Sequence, residues 1–188
     1  MSKIPVGTVV TSVAKFRSKA YKDFVRGLDE TPERRRTVSR GDRFGPFKVL
    51  HPHSVGAAAR ADDFTTVLSL ESSRNEILLC SDLGVAGQKA LAESGLLSQA
   101  SVVVSGLPAV GEPLGDPLLE RAKPRVILLT SAGFPNSQRP SSALRARLSE
   151  AADFVLTADR EGGFQMETTA DGLEIRSRAG ARILLPPK

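Results

Sequence analysis

Hydrophobic and polar positions along this chain predict a series of short elements whose order changes at Cys80. Val6 to Val10 is a β-branched run and predicts a strand. Lys15 to Leu28 predicts an amphipathic helix, with Ala20, Phe24 and Leu28 at four-residue spacing and Lys19, Lys22 and Arg26 on the other sides. Gly27 and the Thr31-Pro32 step close it. Arg35 to Ser39 alternates as a strand, Gly41-Asp42 turns, and Phe44 to Leu50 predicts a further strand with Gly45-Pro46 at its start. Residues 51–63, rich in Gly, Ala and Asp, predict a loop. Thr65 to Leu70 and Glu76 to Cys80 predict a hairpin across the polar break Ser72-Ser73-Arg74-Asn75. Ile77-Leu78-Leu79-Cys80 is apolar throughout, as a strand covered on both faces would be.

After Cys80, helices and strands alternate. Helices are predicted over Val85 to Ser94, Leu114 to Ala122 and Ser141 to Ala151. Each precedes a strand: Ser101 to Val104, Arg125 to Thr130 and Phe154 to Thr157. Such alternation implies parallel crossovers packed on a sheet. Gly163 to Thr168 and Leu173 to Arg178 predict a last hairpin around Ala170-Asp171-Gly172. Residues 181–188 read as a tail ending in Pro-Pro-Lys. The chain shows no internal repeat, so the reading is one α/β domain over residues 1–180, with hairpins at both ends and βα units between.

Composition narrows the chemistry. With 188 residues, 40% hydrophobic and 25% charged, the chain has the balance of an ordinary globular domain. A single cysteine, Cys80, excludes an intrachain disulfide, and one Cys with two His cannot form a four-ligand Cys/His zinc site. No run of about 20 apolar residues could span a bilayer, and the N-terminus lacks the apolar core of a secretory signal. A soluble segment is therefore expected. The net charge of +5 is uneven: residues 1–50 hold 12 Lys/Arg against 5 Asp/Glu. Arg34-Arg35-Arg36 is the densest basic point and the candidate nucleic-acid contact, against the plainer reading of a solvated charged face. The absence of Trp and the single Tyr21 argue against a base-stacking surface.

Five segments carry a resemblance. They are residues 40–52 (Arg-Gly-Asp-Arg-Phe-Gly-Pro-Phe-Lys-Val-Leu-His-Pro), 62–70 from Asp62-Asp63-Phe64 to Leu70, and 77–82 ending in Cys80-Ser81-Asp82. Residues 122–133 (Ala-Lys-Pro-Arg-Val-Ile-Leu-Leu-Thr-Ser-Ala-Gly) and 156–163 (Leu-Thr-Ala-Asp-Arg-Glu-Gly-Gly) complete the set. In order and spacing the chain resembles the metallo-β-lactamase-fold domain at the C-terminal end of ComEC-type DNA-uptake (competence) proteins. The resemblance implies an αββα sandwich of mixed sheets with outer helices, here lacking the first part of the usual domain. It also implies a bacterial parent protein of the inner membrane, with zinc or manganese activating water for phosphodiester hydrolysis.

The departures from that family bear on function. The first ligand motif, His-x-His-x-Asp-His, is missing. The second falls near Leu107-Pro108, which offers no ligand atom, and the last falls near Arg139-Pro140, where a fixed cation cannot ligate metal. Asp82 is the one ligand-type residue left, so Asp82, Leu107, Pro108 and Arg139 are expected to line a metal-free pocket in which Arg139 could pair with Asp82. His51 and His53, a His-x-His pair, read as an ordinary strand exit, and Asp62-Asp63 as a turn. Asp82 reads mainly as a cap for the helix at Val85. Ser81 and Ser105 lack a nearby His to act as base, Ser105-Gly106-Leu107-Pro108 lacks the Lys of a phosphate loop, and Cys80 reads as buried and inert. Residues 133–139 are expected to be a polar loop at a sheet end, where ligands often sit. The expected function is a non-catalytic module that guides single-stranded DNA or docks a protein, such as the membrane-embedded region of the parent. The alternative is a metal-dependent nuclease whose first motif lies outside this chain. A missing first strand would leave a sheet edge open and favour self-association.

Overall fold

The structure is a computed structural model describing residues 5–53, 60–132, 134 and 139–187. In chain order, β1 (Val9–Ser12), α1 (Lys19–Asp29) and β2 (Arg35–Val38) come first. β3 (Arg43–Phe44), β4 (Phe47–His51), β5 (Val67–Ser72) and β6 (Asn75–Ser81) follow. Then α2 (Val85–Glu93), β7 (Val102–Ser105), α3 (Asp116–Ala122), β8 (Val126–Leu129), α4 (Ser142–Ala151) and β9 (Phe154–Thr157) alternate. α5 (Ala158–Glu161), β10 (Phe164–Thr169), β11 (Gly172–Ser177) and β12 (Arg182–Leu185) close the chain.

The predicted alternation becomes a seven-stranded mixed sheet in the order β3 to β9. Strands β3 to β6 pair antiparallel, and β6 to β9, joined through helices, pair parallel. Strand periodicity splits the apolar runs between two faces. Leu78, Cys80, Val103, Ile127 and Leu129 lie under Leu91 of α2, Leu118 of α3 and Leu148 of α4. Ile77, Val102, Val126 and Leu128 meet Leu173, Ile175, Ile183 and Leu185 of a three-stranded antiparallel sheet, β10-β11-β12. The described layers are thus helix, sheet, sheet, a mixed α/β sandwich whose central strands are covered on both sides. The outer face of the smaller sheet carries charge. Glu174, with a side chain 3% exposed, lies under Arg176 and Arg182. The hydrogen bond from Arg176, helped by Arg182, holds its carboxyl below the usual range despite partial desolvation.

Several boundaries differ from the sequence reading. Residues 44–50 are not one strand, because Gly45, at φ +52°, turns the chain between β3 and β4. The helix starts at Lys19 rather than at Lys15, since the Ser18 hydroxyl accepts the Tyr21 amide at 3.2 Å and fixes the N-cap there. The segment read as a tail contains β12, with Leu185 fully buried. α5 was not anticipated at all. β1 and β2 pair parallel as a separate two-stranded sheet, with α1 between them in sequence.

Candidate functional site

The carboxyl ends of β6, β7, β8 and β9 are level with one another: Ser81 pairs with Ser105, Ser105 with Leu129 and Leu129 with Thr157. Beyond them lies a cleft of about 440 Å³ lined by Ser81, Asp82, Gly106, Leu107, Thr130, Ser131, Ala132 and Ala158. The end of a parallel sheet is where ligands settle in open α/β folds. Ser81 sits at φ +49°, a left-handed conformation that costs a non-glycine residue about 1–2 kcal/mol. Its carbonyl accepts the Gly106 amide at 2.5 Å and its hydroxyl donates to Asp82 Oδ1 at 2.8 Å. The strained bend therefore sets the Asp82 carboxylate at the cleft rim, exposed to solvent.

Of the four pocket residues expected from the sequence, Asp82 and Leu107 line this cleft. Pro108 is buried beside Leu107, and Arg139 is exposed on the segment leading to α4. Most of the loop expected over residues 133–139 (residue 133 and residues 135–138) lies outside the described residues.

Asp82 does not cap α2. Asp63 Oδ1 accepts the amides of Ala86 at 3.0 Å and Gly87 at 3.4 Å instead. The approach needs glycine: a Cβ on Gly84 would collide with the Asp63 carboxylate, and one on Gly87 would meet the Asp63 carbonyl oxygen at 2.7 Å. Asp62 Oδ2 accepts the Ala109 amide at 2.9 Å. Both acids thus organise backbone within a 3₁₀ turn at Asp62–Phe64. His51 is buried and its Nε2–H donates to the Asp63 carbonyl at 2.8 Å, whereas His53 is exposed. Burial, the largest influence, pushes the His51 pKa down and keeps the ring neutral. Cys80 is 1% exposed, its pKa pushed up to about 12 by burial, and Ser105 is buried with its hydroxyl donating to Ser81 O at 3.2 Å.

The three arginines do not form one patch. Arg34 is exposed in a 3₁₀ turn. Arg35 pairs with Asp29 at 2.8 Å, and Arg36 donates to the Arg43 carbonyl at 2.5 Å. As successive strand residues, Arg35 and Arg36 point to opposite faces.

Two features were not anticipated from the sequence. Ser131, in the cleft, donates to Asp159 Oδ1 at 2.7 Å and accepts the Asp159 amide at 3.2 Å. Arg145 of α4 holds Asp159 Oδ2 at 2.8 Å. Burial would raise the Asp159 pKa, but hydrogen bonding led by the Ser131 hydroxyl and including Thr157 and the Asp159 backbone, together with the Arg145 guanidinium, holds the carboxyl below its ordinary value. This clamp ties the segment after β8 to α5 and α4 beside the cleft. The second feature is a neighbouring cleft of about 350 Å³ that shares Asp82 and is lined also by Phe16, Tyr21, Asp62 and Phe64.

The zinc or manganese implied by the resemblance finds a poor donor set at the strand ends. Among the described residues, the side chains lining the cleft there supply one carboxylate, Asp82, and the hydroxyls of Ser81, Thr130 and Ser131. Zinc takes three or four imidazole, thiolate or carboxylate ligands, so these residues do not fit it. Among the described residues, no three His, Cys, Asp or Glu side chains are grouped as metal ligands would be. No protein-family model matches the chain, and no curated protein matches it.

Proposed function

We propose that this chain is a metallo-β-lactamase-like module of the ComEC type that binds rather than hydrolyses, guiding single-stranded DNA or docking a protein in a DNA-uptake system. The observation that carries the reading is the donor set of the strand-end cleft. The cleft lies at the ends of β6 to β9 and, among the described residues, presents one carboxylate, Asp82, among hydroxyls and Leu107. Hydroxyls and a rim carboxylate can hold a polar ligand, but they cannot stabilise a hydroxide nucleophile at neutral pH. The family's inner-membrane parent belongs to the same proposal. Among the described residues no helix is long and apolar enough to cross a membrane.

Labelled single-stranded DNA incubated with the chain and manganese or zinc is expected to stay intact. It should associate in a salt-dependent way that weakens when Arg34, Arg35 and Arg36 are neutralised together. Cleavage that disappears in Asp82→Asn would overturn the non-catalytic reading. An association indifferent to the triple arginine change would favour protein docking over DNA guidance.

A further inference from the structure

Among the described residues, a second chemically distinctive concavity lies on the other side of Asp82. Three aromatic residues separated by up to 48 positions, Phe16, Tyr21 and Phe64, line it together with Asp62 and Asp82. Phe16 and Tyr21 stand edge to face, centroids 5.0 Å apart, and the Tyr21 hydroxyl is tied to the Ala14 carbonyl at 2.8 Å. The rings are partly exposed and present surface to the cleft, with Phe16 and Tyr21 held by their mutual contact. Both carboxylates are fixed as well. The Ala109 amide holds one oxygen of Asp62, and the Ser81 hydroxyl holds one oxygen of Asp82. The second oxygen of each has no hydrogen-bond donor among the described residues.

Aromatic faces carry negative quadrupole potential and attract cations. Two carboxylates in the same cleft add to that potential and repel a phosphodiester backbone. A volume of about 350 Å³ lies at the small end of ligand sites and suits a single side chain better than a run of nucleotides. Arginine matches best: its plane stacks on rings, and its five N–H donors can reach carboxylates and the hydroxyls of Thr65 and Thr66 at the cleft wall. We propose that this cleft is a receptor for the guanidinium of an arginine side chain on a partner polypeptide. The proposal rests on the cleft alone and is independent of the DNA-uptake reading.

The test titrates isotopically labelled full-length chain with acetyl-Gly-Arg-Gly-amide, followed by NMR, against the peptide in which neutral citrulline replaces arginine. The arginine peptide is expected to shift Tyr21, Phe64 and Asp82 saturably, and the citrulline peptide to bind about tenfold more weakly. Asp82→Asn, an exposed position, should weaken the arginine peptide by about fivefold or more. Asp171→Asn, in the turn between β10 and β11 at the opposite end of the strands, should leave binding unchanged. Phe64→Leu should reduce the preference for arginine over lysine, with thermal unfolding as its folding control. Equal binding of the arginine and citrulline peptides, or an Asp82→Asn variant that binds as Asp171→Asn does, overturns the proposal. An oligothymidylate that displaces the arginine peptide from these residues would instead assign the cleft to nucleic acid and also overturn it. Neither result alters what the cleavage assay says about the strand-end cleft.

Discussion

At the scale of the single residue, His51 joins packing to protonation. Its ring is neutral because burial penalises the imidazolium, and its Nε2–H secures the carbonyl of Asp63, whose carboxylate in turn caps α2. A folded-state pKa below the unfolded value means that the unfolded chain takes up the proton first. Stability at this residue is therefore full above about pH 6.5 and declines as pH falls from there toward the folded-state pKa. Urea unfolding at pH 7 and pH 5 should show wild type losing more stability than His51→Gln, which keeps an N–H donor but cannot titrate. Parallel losses in the two proteins would remove His51 as the source. The same region shows what the sequence disclosed of the site. Asp82 was singled out by the resemblance, as the ligand-type residue left in Cys80-Ser81-Asp82. Asp63 as the cap of α2 was not, because capping patterns in a sequence are local and this carboxylate lies 23 residues before the amide it binds. Ser131 and Asp159 are 28 residues apart and meet only because β8 and β9 run parallel in register.

At the scale of elements, the βα alternation after Cys80 was legible because the strands are apolar runs and two of the helices, α3 and α4, carry local start signals. Ser141 caps α4 by accepting the Leu144 amide at 3.0 Å, and Pro117 stands in the first turn of α3. What was not legible depended on φ or on tertiary cover. The hairpin between β5 and β6 was expected across four polar residues, yet its loop is two residues, Ser73 and Arg74, both at positive φ of +49° and +58°. Two consecutive left-handed residues define the turn that matches strand twist, normally filled by Asn-Gly. The protein places serine and arginine there, each carrying a steric penalty of about 1–2 kcal/mol that packing of β5 and β6 offsets. Replacing the pair through Ser73→Asn and Arg74→Gly is expected to stabilise the fold by about 1 kcal/mol, raising the thermal midpoint without altering ligand binding at the far end of β6. A lower midpoint would mean that the Arg74 side chain contributes more than its backbone costs.

At the scale of the whole molecule, the small sheet decides whether the large one can exist in water. Ile77, Val102, Val126 and Leu128 face away from the helices, and what covers them is Leu173, Ile175, Ile183 and Leu185. Two of those four lie on β12, in the segment that composition marked as a tail. A short run ending in Pro-Pro-Lys gives no periodicity to read, and its burial becomes apparent only when β11 is there to pair with it. The same strand end also satisfies a polar group: Asn75, at the start of β6 and 0% exposed, donates its amide to the carbonyls of Leu185 and Pro186 at 3.4 and 3.3 Å. Ending the chain after Gly180 would remove both buried side chains, each worth about 1.5–3 kcal/mol, and leave the Asn75 amide with fewer acceptors. The loss is comparable with the whole net stability of a domain this size, about 5–15 kcal/mol. The shortened chain is therefore expected to melt well below the full chain, bind a hydrophobic dye through the uncovered strands, and lose any occupancy of the strand-end cleft along with its fold. If it instead unfolds at the same temperature and leaves the dye unbound, β12 is dispensable cover and β10-β11 alone must seal the central sheet. Single changes sharpen the choice: Leu185→Ala should cost about 2–5 kcal/mol if the strand is part of the core, whereas Leu184→Ala, on the exposed face of the same strand, should cost far less.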